Sequence, residues 1–362
     1  MYYPDSETKT ILVIRLSAMG DVAMTVPVLH SLRKAFPETN VVVLTTYGYD
    51  PMFDNLPGVH MVHFDRHGKD KGLKGVFRVW LKLRKHYHFD AIADLHNVLR
   101  SRLLTFLLRF SFRRVPIVHI NKERSLKRQL TKVGYKKYGA NLKTSFERYQ
   151  DVFSKLGYKF KMDFDTIFWR RMPEIPDDML EFFGQKNGQP WVGIAPFAGH
   201  RSKIYPMKKM EVVVKQLSER GVKVFLFGHG RNEKGVLNTW AKKYNDVFAM
   251  PPETYLPQEL ILMAHLDAMV SMDSANMHMA SMVATPVVSV WGATHPCAGF
   301  MGWKQSEDNA VQLPLDCRPC SVFGEKPCRR KGAHYECVRS ISPEMVVEKV
   351  MKVLQENPIK EN

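Results

Sequence analysis

The chain has 362 residues, of which 45% are apolar and 25% charged, a composition typical of a folded protein with two domains of about 150–180 residues each. Its net charge of +17 indicates an acidic partner: nucleic acid, an anionic membrane face or a phosphorylated substrate. The apolar runs fall short of the roughly 18 residues of a transmembrane helix, and the N-terminus lacks the basic start of a secretion signal, so we expect a cytoplasmic protein with no transmembrane segment.

Short β-branched runs alternate with amphipathic helical stretches in the first half of the chain. The pattern predicts strands at residues 11–16, 40–46, 59–64, 90–95 and 115–119. It predicts helices at residues 21–35, 73–85 and 98–110. This alternation is typical of a parallel sheet that is covered by helices on both faces.

The alternation loosens between about residues 161 and 190, where prolines and acids gather, and then resumes. The second set predicts strands at 191–196, 222–227, 268–271 and 287–291, with helices at 207–219, 231–244, 274–283 and 342–355. We therefore predict an α/β fold with two Rossmann-like, doubly wound domains that face a cleft. The predicted domains are residues 1–175 and 188–341, and residues 342–362 form a terminal helix.

The first motif, Ser17-Ala18-Met19-Gly20-Asp21, lies between the first strand and its helix. It contains one glycine only and is therefore not a dinucleotide-binding glycine loop. Asp21 stands at the start of the helix, where backbone N–H groups and the helix dipole stabilise a carboxylate. Two interpretations remain open for Asp21: a plain N-cap, or a general base at the cleft.

The second motif follows the first strand of the second domain and carries the sequence PFAGHRSKIYP, residues 196–206. Arg201 and Lys203 are either two surface cations or the groups that neutralise a departing diphosphate.

The third motif, DSANMH at residues 273–278, joins a strand end to a helix start and precedes GATHP at 292–296. The N–H groups of Ser274, Ala275 and Asn276 at a helix N-terminus form an anion site suited to a pyrophosphate. Asp273 beside them is placed to accept hydrogen bonds from sugar hydroxyls. The alternative is that Asp273 or Ser274 caps the helix and that His278 belongs to the core.

Together these segments, read as RLSAMGDVAMTVP, SKIYP, DSANMH and GATHP, resemble glycosyltransferase family 9, the heptosyltransferases, over roughly residues 11 to 350. The resemblance implies a GT-B fold, in which the terminal helix at residues 342–362 crosses back to the first domain, and an inverting, metal-independent glycosyltransferase. It implies transfer of heptose from ADP-heptose to the inner core of lipopolysaccharide, where the acceptor is either Kdo–lipid A or a heptosyl unit, with no cofactor.

Roles follow position by position from the resemblance. Asp21 becomes the base that deprotonates the acceptor hydroxyl, and Lys203 the cation at the diphosphate. The remaining donor-site residues are Arg201, Asp273, Ser274, Ala275, Asn276, His278 and Thr294. This sequence departs from the family in carrying Ala275 where many members have glycine, and Glu233 stands late for an acid that binds the ribose.

The acceptor side is predicted at Asp94, Arg100 and Ser101, although Arg100 is equally compatible with a surface cation. Residues 109–148 carry twelve Lys/Arg and two Glu. We interpret this stretch either as a solvated basic face or as a surface for an anionic lipopolysaccharide precursor at the cytoplasmic face of the inner membrane. Nucleic acid is disfavoured, because few aromatics are interleaved and no nucleic-acid-binding motif is present.

Four cysteines, Cys317, Cys320, Cys328 and Cys337, have a spacing that permits a structural zinc site, with reduced thiols that pack a loop as the alternative. For the function of the whole chain two alternatives stay open. One is a family 9-like transferase with another nucleotide-sugar or acceptor, and the other is a non-catalytic binder of anionic polymers.

Overall fold

The computed structural model describes residues 8–112, 114–251, 253–330, 332–357 and 360. Their contacts divide the chain into two compact units. The first unit takes the described residues up to 122 together with 145–167, and the second takes 123–144 and the described residues from 168 onwards. Each unit is built around one parallel sheet.

The strands, in chain order, are β1 (Thr10–Ile14), β2 (Asn40–Thr45), β3 (Val59–His63), β4 (Ala91–Asp94), β5 (Ile117–His119), β6 (Trp191–Ala195), β7 (Lys223–Leu226), β8 (Val247–Ala249), β9 (Ala268–Met272), β10 (Val287–Val290) and β11 (Ala310–Val311). The helices are α1 (Met19–Ala23), α2 (Thr25–Ala35), α3 (Gly72–His86), α4 (Leu99–Ser111), α5 (Arg124–Val133), α6 (Tyr135–Tyr138), α7 (Ser145–Lys155), α8 (Asp177–Phe183), α9 (Met207–Glu219), α10 (Arg231–Lys243), α11 (Leu256–His265), α12 (Ala275–Met282), α13 (Glu336–Arg339) and α14 (Pro343–Glu356). None of the described helices is long and apolar enough to cross a membrane.

The first unit has the strand order β3-β2-β1-β4-β5. Every residue of β1 and β2 is buried, which requires helices on both faces of the sheet. Leu12 and Ile14 of β1 belong to a core with α3 and α4 on one face. Helices α2 and α7 pack against each other, and α7 also contacts β4 and β5. The alternating directions of side chains along a strand thus place the two helix pairs on opposite faces.

The second unit has the strand order β11-β10-β9-β6-β7-β8. One of its cores joins the inner faces of α9 and α14 to β6, β7, β9 and β10. Helix α14 begins at the N-cap Ser342, whose hydroxyl accepts a hydrogen bond from the backbone N–H of Met345 at 3.3 Å. The strand order reverses at β6 in the same way that the order of the first sheet reverses at β1.

The fold class is confirmed, since both units are doubly wound α/β structures. Several details differ from the sequence prediction. The helix predicted at 21–35 is two helices, α1 and α2, and the predicted interdomain link contains α8. Strands β8 and β11 were not predicted, because three or two residues are too short to produce a periodic signal.

Two segments join a different unit from the one that the sequence suggested. Residues 123–144 cluster with the second unit, where the Tyr135 N–H donates to the Arg318 carbonyl at 2.7 Å and the Leu142 N–H to the Cys297 carbonyl at 2.8 Å. Helix α14, predicted to cross back to the first domain, packs within the second unit on α9 and its sheet. Local sequence does not reveal these long-range backbone bonds.

Candidate active site

In the first unit, the loops after β1 and β4 meet at the point where the strand order reverses. From β1 the sheet continues to β2 on one side and to β4 on the other. In doubly wound sheets, ligands bind outside the carboxyl ends of the strands at this switch point. The first motif, with Asp21, follows β1, and the segment from Asp94 to Ser101 follows β4.

Asp21 forms an ion pair with Arg15, whose side chain is 9% exposed, whereas that of Asp21 is 30% exposed. The guanidinium of Arg15 also donates to the Leu95 carbonyl at 2.7 Å and lies 5.8 Å from the ring centroid of Tyr149. The Tyr149 hydroxyl in turn donates to the main-chain carbonyl of Asp21 at 3.2 Å. Arg15 and Tyr149, neither of which the motif reading selected, therefore hold the carboxylate in a fixed position.

Asp21 also accepts a weak hydrogen bond from the Ala18 N–H at 3.4 Å, as a residue in the first turn of a helix can. The capping interpretation of Asp21 is thus correct in part. The main partner of the carboxylate is nevertheless Arg15, whose positive charge compensates the negative charge of Asp21 beside the buried sheet.

His96 lies beside this ion pair, and its Nδ1 accepts a hydrogen bond from the Leu16 N–H at 3.2 Å. Burial, together with the positive charge of Arg15, lowers the pKa of His96 to about 4. The imidazole is therefore neutral at physiological pH and acts as an acceptor toward the backbone of the first motif.

Asp94 and Ser101, two of the predicted acceptor-side residues, are fully buried in this structure. Asp94 accepts hydrogen bonds from the Ser101 hydroxyl at 2.9 Å, from the His119 ring at 2.8 Å, and from the backbone N–H groups of His96 and Asn97 at 2.9 and 2.8 Å. Burial by itself raises the pKa of Asp94, but these hydrogen bonds outweigh it and lower the pKa. The two residues shape the loop that carries His96 and leads to Arg100 in the first turn of α4.

Arg100, the third predicted acceptor residue, lines a cavity of about 460 Å³ within the first unit. Ser17, Arg66 and His96 line the same cavity. Two guanidinium groups, Arg66 and Arg100, thus open onto one space next to the first motif. This composition suits a ligand with phosphate or carboxylate groups.

In the second unit, the loops after β6 and β9 meet at the corresponding switch point. The Nζ of Lys203, which follows β6, lies 2.8 Å from a carboxylate oxygen of Asp273, which follows β9, and 3.2 Å from its main-chain carbonyl. The side chains are 14% and 6% exposed. The predicted cation and the predicted sugar-binding acid, 70 positions apart in sequence, are therefore direct partners.

Ser274 caps α12 with extended backbone, and its hydroxyl lies 3.3 Å from that of Ser271. The N–H groups of Ala275 and Asn276 stand in the first turn of this helix, as predicted. Among the described residues, the Asn276 Oδ1 is buried and has no hydrogen-bond partner. His278 is buried one turn further on.

The loop after β10 brings Thr294 to the same edge of the sheet. Its hydroxyl is completely buried, and the described residues supply no hydrogen-bond partner for it. Gly292 precedes it, and a Cβ at this position would lie 2.2 Å from the Ser202 carbonyl. That carbonyl accepts from the Ala293 N–H at 3.1 Å, so only glycine permits the loop to lie this close to the turn of Lys203.

Arg318 holds this loop in place, and the motifs gave no indication of it. Its guanidinium donates to the carbonyls of Gly292 at 2.6 Å, Thr294 at 2.9 Å and Leu313 at 2.6 Å, and to the Gln312 side chain at 3.0 Å. Arg318 is 2% exposed. The sequence around Arg318, between Cys317 and Pro319, contains no motif that indicates this role. An arginine that is buried and donates to backbone carbonyls cannot be distinguished from an exposed arginine by residue type alone.

Arg201, by contrast, is exposed on a short 3₁₀ turn, Arg201–Lys203. Its guanidinium lies 5.6 Å from the ring centroid of Tyr335. The structure therefore brings Lys203, Asp273, Ser274 and Thr294 to one edge of the sheet and leaves Arg201 at its margin.

Residues 76–333 match the model of glycosyltransferase family 9, the heptosyltransferases. The chain belongs to glycosyltransferase family 9. It is accordingly a glycosyltransferase, as the motifs predicted.

Its curated relatives are distant but nearly as long as the chain. Lipopolysaccharide heptosyltransferase 3 of Escherichia coli is 24% identical over 90% of this chain and 93% of its own length. Lipooligosaccharide heptosyltransferase 2 of Campylobacter jejuni serotype O:6 is 21% identical over 92% and 96%.

Solved structures agree on the fold. A family 9 glycosyltransferase from Veillonella parvula gives a TM-score of 0.71 at 16% identity and covers 96% of this chain and 98% of its own. The E. coli heptosyltransferase WaaC, solved with ADP, gives 0.65 at 17% identity and covers 95% and 99%. This likeness confirms the GT-B fold of the family 9 chain.

In this family 9 transferase, two glutamates of neighbouring helices, Glu233 of α10 and Glu259 of α11, contact the loop after β7. Glu233 accepts from the His229 N–H at 2.9 Å, and the His229 ring lies 3.3 Å from the buried carboxylate of Glu259. The hydrogen bond that the His229 ring donates to the Glu259 carboxylate raises the pKa of His229. Glu233 therefore supports the loop backbone in this structure.

The cysteines of this family 9 transferase are free thiols. Among the described residues, no group of three or more His, Cys, Asp or Glu side chains is placed to hold a metal ion, so the zinc interpretation gains no support. Burial raises the pKa of Cys337 to about 11 and also raises the pKa of Cys320. These two thiols are protonated and pack the loop between β11 and α13.

Proposed function

We propose that this family 9 transferase moves heptose from ADP-heptose to the inner core of lipopolysaccharide, with inversion at the anomeric carbon and without a metal ion. One observation carries the proposal. Each sheet presents its polar side chains at its own switch point, a base with a buried cation in the first unit and a cation with helix amides in the second. We infer heptose as the transferred sugar and lipopolysaccharide as the acceptor from the relatives, which include lipopolysaccharide heptosyltransferase 3 of E. coli.

Asp21 acts on the acceptor. Its carboxylate takes the proton of the acceptor hydroxyl, and the hydroxyl oxygen then attacks the anomeric carbon. Arg15 holds the carboxylate through its ion pair, and the partial exposure of Asp21 leaves it within reach of a ligand. An ion-paired carboxylate is a weaker base than an isolated one, so Arg15 contributes orientation at some expense of basicity.

The second unit acts on the donor. As the bond between the anomeric carbon and the diphosphate oxygen breaks, the electron pair stays on the leaving ADP. Lys203 and the first-turn amides of Ala275 and Asn276 stabilise this charge. Asp273 keeps the ammonium of Lys203 in position before the donor arrives.

The cavity between the loops after β1, β3 and β4 is the proposed acceptor site. Arg66 and Arg100 open onto it and suit the phosphates and carboxylates of a Kdo–lipid A acceptor. Asp94 and Ser101 contribute by fixing the loop rather than by contact.

A second candidate is the same reaction with a different nucleotide-sugar. The observation that favours it is the use of Glu233 by the His229 backbone, which removes the acid otherwise available for the ribose. A panel of nucleotide-sugars in the transfer assay separates the two candidates.

The test is a transfer assay with ADP-heptose and a Kdo–lipid A acceptor, run in EDTA and read by mass spectrometry of the product. Asp21→Asn is expected to lower kcat by about 10²- to 10⁴-fold, the contribution of a general base. Binding of ADP, measured by calorimetry, is expected to stay unchanged because Asp21 belongs to the acceptor unit.

Asp163→Asn is the matched control. Asp163 is an exposed carboxylate of the same unit, paired with Lys34 at 2.5 Å, and its substitution is expected to leave kcat unchanged. Full activity of Asp21→Asn would remove Asp21 as the base. Absence of transfer by the unsubstituted protein in EDTA, with recovery on adding a divalent cation, would contradict the metal-independent mechanism.

A further inference from the structure

Helices α3 and α4 lie side by side on one face of the first sheet. The indole N–H of Trp80 in α3 donates to the Ser111 hydroxyl at the end of α4 at 2.8 Å. Both helices bury one side in the same core, through residues such as Val79 and Leu108. Their opposite sides consequently point away from the sheet in a common direction.

This outward surface, here called the α3–α4 face, carries large apolar side chains that the fold leaves in water. They recur at helical spacing on each helix: Leu73, Phe77 and Leu81 on α3, and Leu99, Phe106 and Phe110 on α4. Leu99 is 84% exposed and Phe110 71% exposed. A cluster of exposed apolar residues of this size usually marks a binding surface.

The same two helices are strongly cationic. Together they carry eight lysines and arginines and no aspartate or glutamate: Lys74, Arg78, Lys82, Arg84, Lys85, Arg100, Arg102 and Arg109. Most of these side chains are exposed. An anionic bilayer surface offers two kinds of contact that suit this composition. The apolar side chains can enter the boundary of the acyl chains, and the lysines and arginines around them can bind the negatively charged headgroups.

We propose that the α3–α4 face docks this protein on an anionic lipid bilayer. A bilayer suits this face better than a protein does, because the apolar residues are spread over two parallel helices. The lysines and arginines around them extend over the whole face. A protein partner would have to bring a matching set of acids, whereas a phospholipid headgroup layer presents negative charge everywhere.

The face also reaches the acceptor cavity. Leu73 and Leu99, at the N-terminal ends of α3 and α4, line the cavity that contains Ser17, His96 and Arg100. Resting on the proposed function, this contact lets a lipid-anchored acceptor enter the cavity directly from the bilayer. The docking itself does not depend on any transfer activity.

The surface differs from the one that charge counting suggested. The basic stretch 109–148 is divided between the units, since residues 123–144 cluster with the second one. The α3–α4 face combines charge with exposed apolar side chains, which a count of lysines and arginines does not detect.

The experiment measures binding of the full chain to vesicles that contain no acceptor, by co-sedimentation. The vesicles are phosphatidylcholine alone or phosphatidylcholine with 30% phosphatidylglycerol, roughly the share of anionic lipid in a charged leaflet. Two triple variants avoid the cavity: Lys74→Gln/Lys82→Gln/Lys85→Gln and Phe77→Ser/Leu81→Ser/Phe110→Ser. The control, Lys208→Gln/Lys215→Gln/Lys242→Gln, removes three exposed lysines from α9 and α10.

The unsubstituted protein is expected to bind the anionic vesicles and to lose affinity as salt is raised. The lysine variant should bind about 100-fold more weakly, at roughly a fivefold loss for each charge, and the apolar variant at least tenfold more weakly. The control should bind normally. Melting temperatures of all variants verify folding.

Failure of the unsubstituted protein to bind anionic vesicles would overturn the proposal, as would equal binding by all three variants. A dimer that the apolar variant abolishes, with no vesicle binding, would assign the face to a second copy of the chain instead. Because no acceptor or donor is present, none of these outcomes depends on whether the proposed transfer reaction is correct.

Discussion

Arg318→Lys tests how the donor-side loops are held, because it keeps the buried positive charge and removes the planar fork of donors. The native guanidinium serves three carbonyls and one side-chain amide from a position that is 2% exposed. A lysine ammonium is a point donor on a flexible stem and reaches one or two of these acceptors at a time.

The expected cost follows from the bonds lost. Two to three hydrogen bonds disappear, each worth about 1 kcal/mol net, and the abandoned carbonyls of Gly292 and Thr294 stay buried. We therefore expect the free energy of unfolding to fall by about 2–4 kcal/mol. With a urea slope of about 2–3 kcal/mol/M, the midpoint of the second unit should move down by roughly 1 M.

The assay is urea unfolding followed by tryptophan fluorescence, since Trp291 lies directly before the loop that Arg318 supports. Arg220→Lys is the control: this exposed arginine of the same unit donates to the Gln216 carbonyl at 3.0 Å, and its loss should change stability by no more than about 0.5 kcal/mol. An unchanged midpoint for Arg318→Lys would refute the assignment of Arg318 as the residue that holds the loop.

Two further predictions concern single polar groups. Thr294→Val removes a buried hydroxyl that has no hydrogen-bond partner among the described residues, so the fold should be as stable as before or up to about 1 kcal/mol more stable. Because we assign this hydroxyl to the donor, the variant should also bind ADP about two- to tenfold more weakly. A clear loss of thermal stability would contradict this reasoning. The pKa of His96 is about 4 in the folded protein, whereas an ordinary histidine has a pKa of 6.5. Between these two pH values the unfolded chain binds more protons than the folded chain, so the free energy of unfolding decreases as pH falls from 6.5 to 4. The melting temperature of His96→Gln should depend less steeply on pH over this range than that of the unsubstituted protein. The same pH dependence for both proteins would contradict the prediction.

The β-branched runs predicted nine of the eleven described strands, all except β8 and β11, and the motifs placed Asp21, Lys203 and Asp273 at strand ends. This succeeded because a parallel sheet brings all its carboxyl ends to one edge, so a motif directly after a strand has a known location. The same reasoning expected direct acceptor contacts from Asp94 and Ser101. Position after a strand does not reveal that a side chain turns inward and satisfies its own loop, as both of these do.

The sequence by itself determined the α/β class, the family and the edge of each sheet where polar groups gather, because periodicity and local motifs act over a few residues. Only the tertiary structure decided the pairing of Lys203 with Asp273, the support from Arg15 and Arg318, the transfer of residues 123–144 to the second unit, and the joint outward side of α3 and α4. Each of these includes at least one contact between groups that are distant in the chain, such as that of Arg15 with the Leu95 carbonyl. Their contacts form when whole elements pack together, and no local pattern of residue types encodes which distant carbonyl or carboxylate a buried arginine or lysine will meet.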